Sequence, residues 1–369
     1  DRVALPRTAL LTGDHANLTD HGAFHSTIGN RRRRFLRSIQ RVTTGKLCLS
    51  AAAVGGARAA LAIAVRYAHR RHTFAPASRD SVAIFAYRCH QTRLLGAVAT
   101  GYAATFLLRE VTRRHLATGG AEASEVDVLI AASKGWITWR ARDIVTECRE
   151  RCGAQGLLSI NRIIDWFVPI EGLITAEGDN LVVWAKAAAD MLTGRGYRPP
   201  QPSTPDTHTL ADPDSLLGLL VRRELDGFRY ARARLNRPAT TPLDRWNTAV
   251  NPALDLVDAY ATRRAAEAFL ACARRTDGAT RPLLERLFQL FALERLAPHA
   301  GALLAGGHVT ADFVRGLPAA IDDAAARLAP HALTLVDAFA IPDDILQAPI
   351  ATDDYGPVHD DPAGPWHRP

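Results

Sequence analysis

The chain has 369 residues, enough for two domains with substantial cores, and 47% of them are hydrophobic against 22% charged, a composition that excludes a largely disordered chain. Its 45 lysines and arginines against 38 acids leave a formal charge of +7, which raises the question of a nucleic-acid partner. The excess is spread as arginines along alanine-rich stretches, and the run Arg31 to Arg34 has no interleaved aromatics on which bases could stack, so no nucleic acid is expected; a basic surface suits a small anionic substrate instead.

The chain opens at Asp1 and its single methionine is Met191, so it is expected to be a piece of a longer protein. Residues 1 to 34 read as the end of another unit: a short alternating segment, Arg2 to Pro6, then a polar loop through Gly13, Asn17, Gly22 and Gly29. Such a segment needs ladder partners from chain upstream. From Phe35 the pattern is helical. Leu49, Ala52, Val54, Ala57, Leu61, Ile63 and Val65 mark a first long helix ending near His72, before the break at Pro76. A second helix is expected from about Asp80 to Leu116, stopping at Gly119-Gly120. A third runs from Ser124, capped with Asp127 in the reciprocal position, to Gly153, and a fourth follows Asn180 to about Thr193. Residues 35–196 thus predict an antiparallel four-helix bundle.

Residues 197–213 hold five prolines and form the clearest linker. Residues 214–348 form a second helical unit, with helix-period apolar positions in 216–235, 243–275, 282–304 and 311–328, and the tail 349–369 is expected to run over the surface. The fold class is therefore all-α, two helical bundles after a β remnant. Arg58 and Arg66 break the longest apolar stretch, around 47 to 65, below the ~18 residues that cross a bilayer, so no membrane span is expected. Five cysteines, with Cys148 and Cys152 a helical turn apart, make neither a disulfide framework nor a zinc set, and His72, His90 and His115 lack ligand spacing. Metal: none; a reducing cytoplasm is the expected compartment.

Three segments could carry chemistry. Thr175-Ala176-Glu177-Gly178-Asp179-Asn180 sets a lone carboxylate between a hydrophobic segment and a glycine, ahead of a helix. A carboxylate there can point into a cavity as a base, and Gly178 lets the backbone bend and a substrate approach; alternatively, Glu177 simply complements a helix dipole while Asp179 or Asn180 caps the helix. Arg71-His72-Thr73-Phe74-Ala75-Pro76 reads locally as a basic helix end. Cys152-Gly153-Ala154-Gln155-Gly156 reads locally as a helix cap followed by a turn.

Taken together, these segments resemble the C-terminal half of the flavin-dependent acyl-CoA oxidases, relatives of the acyl-CoA dehydrogenases. The resemblance runs from Pro6-Arg7 to Leu335-Val336-Asp337-Ala338-Phe339 and Asp354-Tyr355, close to the whole chain. It implies that Glu177 removes the α proton of an acyl thioester while FAD accepts the β hydride, with the backbone N–H of Glu177 and a flavin hydroxyl holding the thioester oxygen and Gly178 beside the substrate. It also implies that Arg71, Thr73 and Phe74 reach the FAD pyrophosphate of a neighbouring subunit in a homodimer, that Gly153, Ala154 and Gly156 lie against the adenosine side, and that Asp179 and Asn180 touch the ribose or adenine. Ala75 and Ala154 stand where the family carries glycines. The flavin-ring site lies upstream of Asp1 in such proteins. The helical unit beyond residue 210 argues for an oxidase, which passes electrons to molecular oxygen and yields hydrogen peroxide and a trans-2-enoyl-CoA in fatty-acid β-oxidation. Two alternatives remain: a related enzyme serving an electron-transfer flavoprotein or a biosynthetic step, and a noncatalytic helical subunit completing a partner's FAD site. No peroxisomal tripeptide ends the chain.

Overall fold

A computed structural model describes residues 2–10, 15–38, 41–118, 124–201 and 209–357. The expected caps at Gly119-Gly120, residues 202–208 of the expected linker and the end of the tail fall outside them. Near the N-terminus Arg2 to Leu5 forms no strand; instead the stretch read as a polar loop folds on itself, β1 (Ala16–Leu18) pairing antiparallel with β2 (Phe24–Ser26). Gly22, with φ 79°, supplies the left-handed residue that this turn needs. The arginine run forms a short helix, α1 (Arg31–Ser38).

The first unit is built on α2 (Val42–Arg70), α3 (Arg88–Ala117) and α4 (Ser124–Arg151), whose facing sides carry alanine and glycine and so pack closely. The second helix starts later than residue 80 because Ser81–Ala83 forms β4, paired antiparallel with β3 (His72–Phe74) in a hairpin between α2 and α3. α6 (Asn180–Leu192) matches expectation, but a further helix, α5 (Ile163–Thr175), lies before it and crosses α2 where Gly56 admits Trp166 and Ile170. Pro169 in α5 masked its helical pattern; tertiary packing outweighs the local penalty.

The second unit comprises α7 (Pro213–Leu235), α8 (Pro242–Arg274), α9 (Thr280–Leu296), α10 (Ala300–Ala305), α11 (Ala311–Leu328), α12 (Ala332–Asp337) and α13 (Asp343–Leu346). Asp212, Thr241 and Thr310 cap α7, α8 and α11 by accepting from Ser215, Asp244 and Phe313 N–H groups. Pro298 splits the expected 282–304 helix into α9 and α10. The units share one core: Trp136 of α4 donates to Thr262 Oγ1 of α8 at 3.1 Å, and Phe269, Phe288 and Phe291 lie fully buried beneath it. The tail departs from expectation at once, because Pro349, Ile350 and Ala351 are buried against α2, where Arg70 donates to the Ala351 carbonyl. The expectation of no membrane span rested on Arg58 and Arg66 alone; by length and composition both α2 and α3 could cross a membrane, and both are mostly buried by neighbouring helices here.

Candidate active site

Glu177 sits in the tight connection from α5 to α6, with φ 55°, followed by Gly178 with φ 100°. For a glutamate the left-handed conformation costs about 1 kcal/mol, so the surroundings must impose it. The next two residues face different ways. Asp179 Oδ1 accepts from Leu181 N–H at 2.9 Å and caps α6, whereas Asn180 is fully buried. Asn180 accepts from Lys134 Nζ at 2.8 Å and donates to Thr138 Oγ1 at 2.9 Å. Its amide is committed to the interior, so of the two residues that the resemblance sets against a ribose or adenine only Asp179 is exposed.

Lys134 was not singled out from the sequence. It is fully buried on α4, and its ammonium donates to the Ile174 carbonyl at 2.8 Å, the Gly178 carbonyl at 2.9 Å and Asn180 Oδ1. Burial lowers its pKa to about 8, with Lys46 pushing the same way and Asp179 and Glu177 opposing. A lysine inside the apolar run Ala131 to Ile137 was the available signal. Beside it, Gly135 leaves room for the Trp184 indole, which donates to the Ala132 carbonyl at 3.1 Å and fixes α6 on α4.

The Glu177 side chain folds over the first turn of α2. A Cβ placed on Gly45 would stand 2.5 Å from Glu177 Oε1 and 2.7 Å from its Cδ, so only glycine permits this approach. A carboxylate at a helix N-terminus is favoured by the backbone dipole. Next along α2, burial and Lys186 hold the Lys46 ammonium below the usual lysine range, against the pull of Asp127 and Glu177. Glu177 itself is exposed, a carboxylate on a cationic floor, so nothing in the described residues supplies the dry pocket expected of a base.

The other predicted residues gather at the opposite end of the bundle. The β3–β4 hairpin leaves Arg71, Thr73 and Phe74 exposed, Phe74 at 71%. Its backbone is fixed by Tyr87 Oη donating to the Phe74 carbonyl at 2.7 Å and by the Ile84 N–H donating to the Arg71 carbonyl at 2.7 Å. The Arg71 guanidinium makes no hydrogen bond or ion pair among the described residues. Burial lifts the Tyr67 phenol, near the end of α2, to about 12, with Tyr355 and Cys152, the residue just before the Gly153–Gly156 turn, adding to the rise. Gly153 has φ 58°, and a methyl on Gly156 would strike the Arg149 carbonyl, so both glycines answer to local chain geometry; Ala154 is exposed on the turn's outer side. From Gly45 to Arg71 along α2 is about 40 Å at 1.5 Å per residue, so Glu177 and Arg71 of one chain lie far apart.

Between the units, α3, α4, α9 and α11 border a cavity of about 400 Å³ lined by Arg93, Arg140, Glu147, Glu294 and Arg295. Burial lifts the Glu294 carboxyl to about 7 despite Arg295 and Arg93, and the same burial lowers Arg295. Their closest approach, 3.9 Å, is too long to offset the lost water.

Residues 41–192 match the family model for the acyl-CoA oxidase C-alpha1 domain and residues 217–359 the acyl-CoA oxidase model, so two consecutive domains of one family occupy most of the chain. The chain belongs to the acyl-CoA oxidase family. It is 30% identical over 197 residues to a mouse acyl-coenzyme A oxidase-like protein, covering 52% of this chain and 31% of that protein. It is 27% identical over 398 residues to human peroxisomal acyl-coenzyme A oxidase 3, covering 96% and 56%. The tomato acyl-CoA oxidase crystal structure shares the fold with a TM-score of 0.84 at 21% identity, over 98% of this chain and 60% of that one. The structure of acyl-CoA oxidase-2 from Caenorhabditis elegans bound with FAD, ascaroside-CoA and ATP superposes with a TM-score of 0.81 at 17% identity, over 98% and 57%. The chain thus spans about half the length of most of the relatives it matches.

Proposed function

We propose that this chain carries the catalytic base and part of the FAD site of an acyl-CoA oxidase, which oxidises acyl-CoA to trans-2-enoyl-CoA and passes the electrons to molecular oxygen. The observation that carries this reading is the placement of Glu177: a carboxylate held over the first turn of α2 by a left-handed backbone, on a floor that includes Lys46. Bound FAD supplies the two-electron acceptor that no side chain can provide. In this reading Glu177 removes the α proton, and its backbone N–H donates to the thioester oxygen as negative charge develops there. Gly178, lacking a side chain, lets the thioester approach the same loop.

Residues fit for FAD are present at the other end of the bundle. Arg71 offers a guanidinium with no partner among the described residues, Thr73 a hydroxyl and Phe74 an exposed ring, a set suited to phosphate oxygens and a flat group. The separation of about 40 Å along α2 supports a homodimer in which each site takes its base from one protomer and Arg71 and the Gly153–Gly156 turn from the other.

The second helical unit supports oxygen as acceptor, since it matches the oxidase model and not merely a dehydrogenase-like bundle. The test is Glu177→Gln in the FAD-loaded protein. Flavin content is expected to stay near wild type while enoyl-CoA formation falls at least ~10²-fold, because the amide keeps the shape and accepts no proton. Wild-type turnover in that variant removes Glu177 as the base. Electron destination is read separately: about one hydrogen peroxide per enoyl-CoA supports the oxidase, and slow reoxidation in air refutes it.

A further inference from the structure

We propose that Lys134 is a positioning residue for Glu177: its ammonium clasps the Ile174 and Gly178 carbonyls on either side of the base and holds the loop in the conformation that puts the carboxylate over α2. The inference rests on Glu177 being the base.

Three observations carry it. Lys134 is fully buried, so its charge is held in the interior at a cost that three hydrogen bonds offset, and all three ammonium protons are used, on Ile174 O, Gly178 O and Asn180 Oδ1. It therefore has no proton left for chemistry of its own and acts through the loop. The two carbonyls bracket Glu177: Ile174 O belongs to the last turn of α5, where helix carbonyls lack partners, and Gly178 O follows the base directly. Among the described residues the neighbouring anchors lie beyond the Glu177–Gly178 turn, Asp179 capping α6 and Asn180 bonding Thr138 and the Gly135 carbonyl, so the clasp is the contact that spans Glu177 at φ 55°. The clasp is itself fixed from below, since Lys134, Gly135 and Thr138 lie on one helix that α6 locks through Trp184.

A lysine that merely stabilises the fold would lower activity together with FAD content and stability. Acting through the base gives a different pattern. In the FAD-loaded protein Lys134→Met is expected to keep flavin and KM for acyl-CoA within about threefold, and to lower kcat by at least ~10-fold as the base drifts. In a double-mutant cycle the effect of Lys134→Met is expected to vanish in the Glu177→Gln background, because a residue that works only through Glu177 has nothing left to position. Equal loss in both backgrounds overturns the proposal. Hydrogen exchange of backbone amides in residues 175–181 gives a readout independent of turnover, and at least about tenfold faster exchange there is expected with little change elsewhere. Unchanged exchange also overturns the proposal. If Glu177→Gln is fully active, the base assignment fails, yet the exchange result still decides whether Lys134 holds the loop. Lys134→Gln, which keeps two donors, serves for the same comparison if the methionine variant does not fold.

Discussion

Replacing Gly45 by alanine should separate the stability of α2 from the placement of Glu177. Gly45 lies in the first turn of α2, and alanine in a helix is worth about 0.5–1 kcal/mol over glycine. The new methyl would stand 2.5 Å from Glu177 Oε1, whereas ordinary contact begins at 3.4 Å, so the carboxylate must retreat by about 1 Å. The atom that moves is the far end of a flexible, exposed side chain, which makes the retreat cheap for folding. It is not cheap for proton abstraction, because misplacing a reacting group by about 1 Å can cost ~10²-fold. The variant is therefore expected to melt at the same temperature or about 1–4 °C higher, to bind FAD normally, and to lose ~10- to 100-fold in kcat/KM. Calorimetry and steady-state peroxide formation measure the two effects on one preparation. A more stable variant with undiminished kcat/KM would show that Glu177 does not work from its place over α2, and would refute the reasoning.

Other outcomes follow from the same geometry. Glu294 has a folded pKa raised from 4.5 to about 7, so the folded state binds more protons than the unfolded between those values and stability falls as pH rises through that window, by up to about 3 kcal/mol above pH 8. Glu294→Gln should raise the melting temperature at pH 8 and hardly change it at pH 4; equal shifts at both would contradict the assignment. Mixing Arg71→Ala with Glu177→Gln protomers, each inactive alone, should recover about a quarter of wild-type activity through hybrid dimers with one intact site, and no recovery would argue against a shared site. Gly135→Ala should destabilise the protein by about 1–3 kcal/mol in denaturant titration, since the added methyl strikes the buried Trp184 indole; an unchanged midpoint would show that the indole can move.

The long helices, their stops and the loop bearing Glu177 were legible in the sequence, because a 3.6-residue apolar period, prolines, glycines and capping side chains act over a few residues. Even there, local rules failed where packing decided: α5 folds through Pro169, β4 takes the start of the expected second helix, and Ile350 leaves the surface to fill a gap beside α2. The resemblance supplied Glu177, but nothing local set Lys134 or Gly45 beside it. Those two come from α4 and α2, about 40 and 130 residues away, and meet the loop only when the bundle closes. A lysine's burial and a glycine's clearance are properties of what lies opposite, and what lies opposite is decided by how helices pack. The same holds for the distance between Glu177 and Arg71: their spacing in sequence is silent about it, and the unbroken length of α2 makes it about 40 Å.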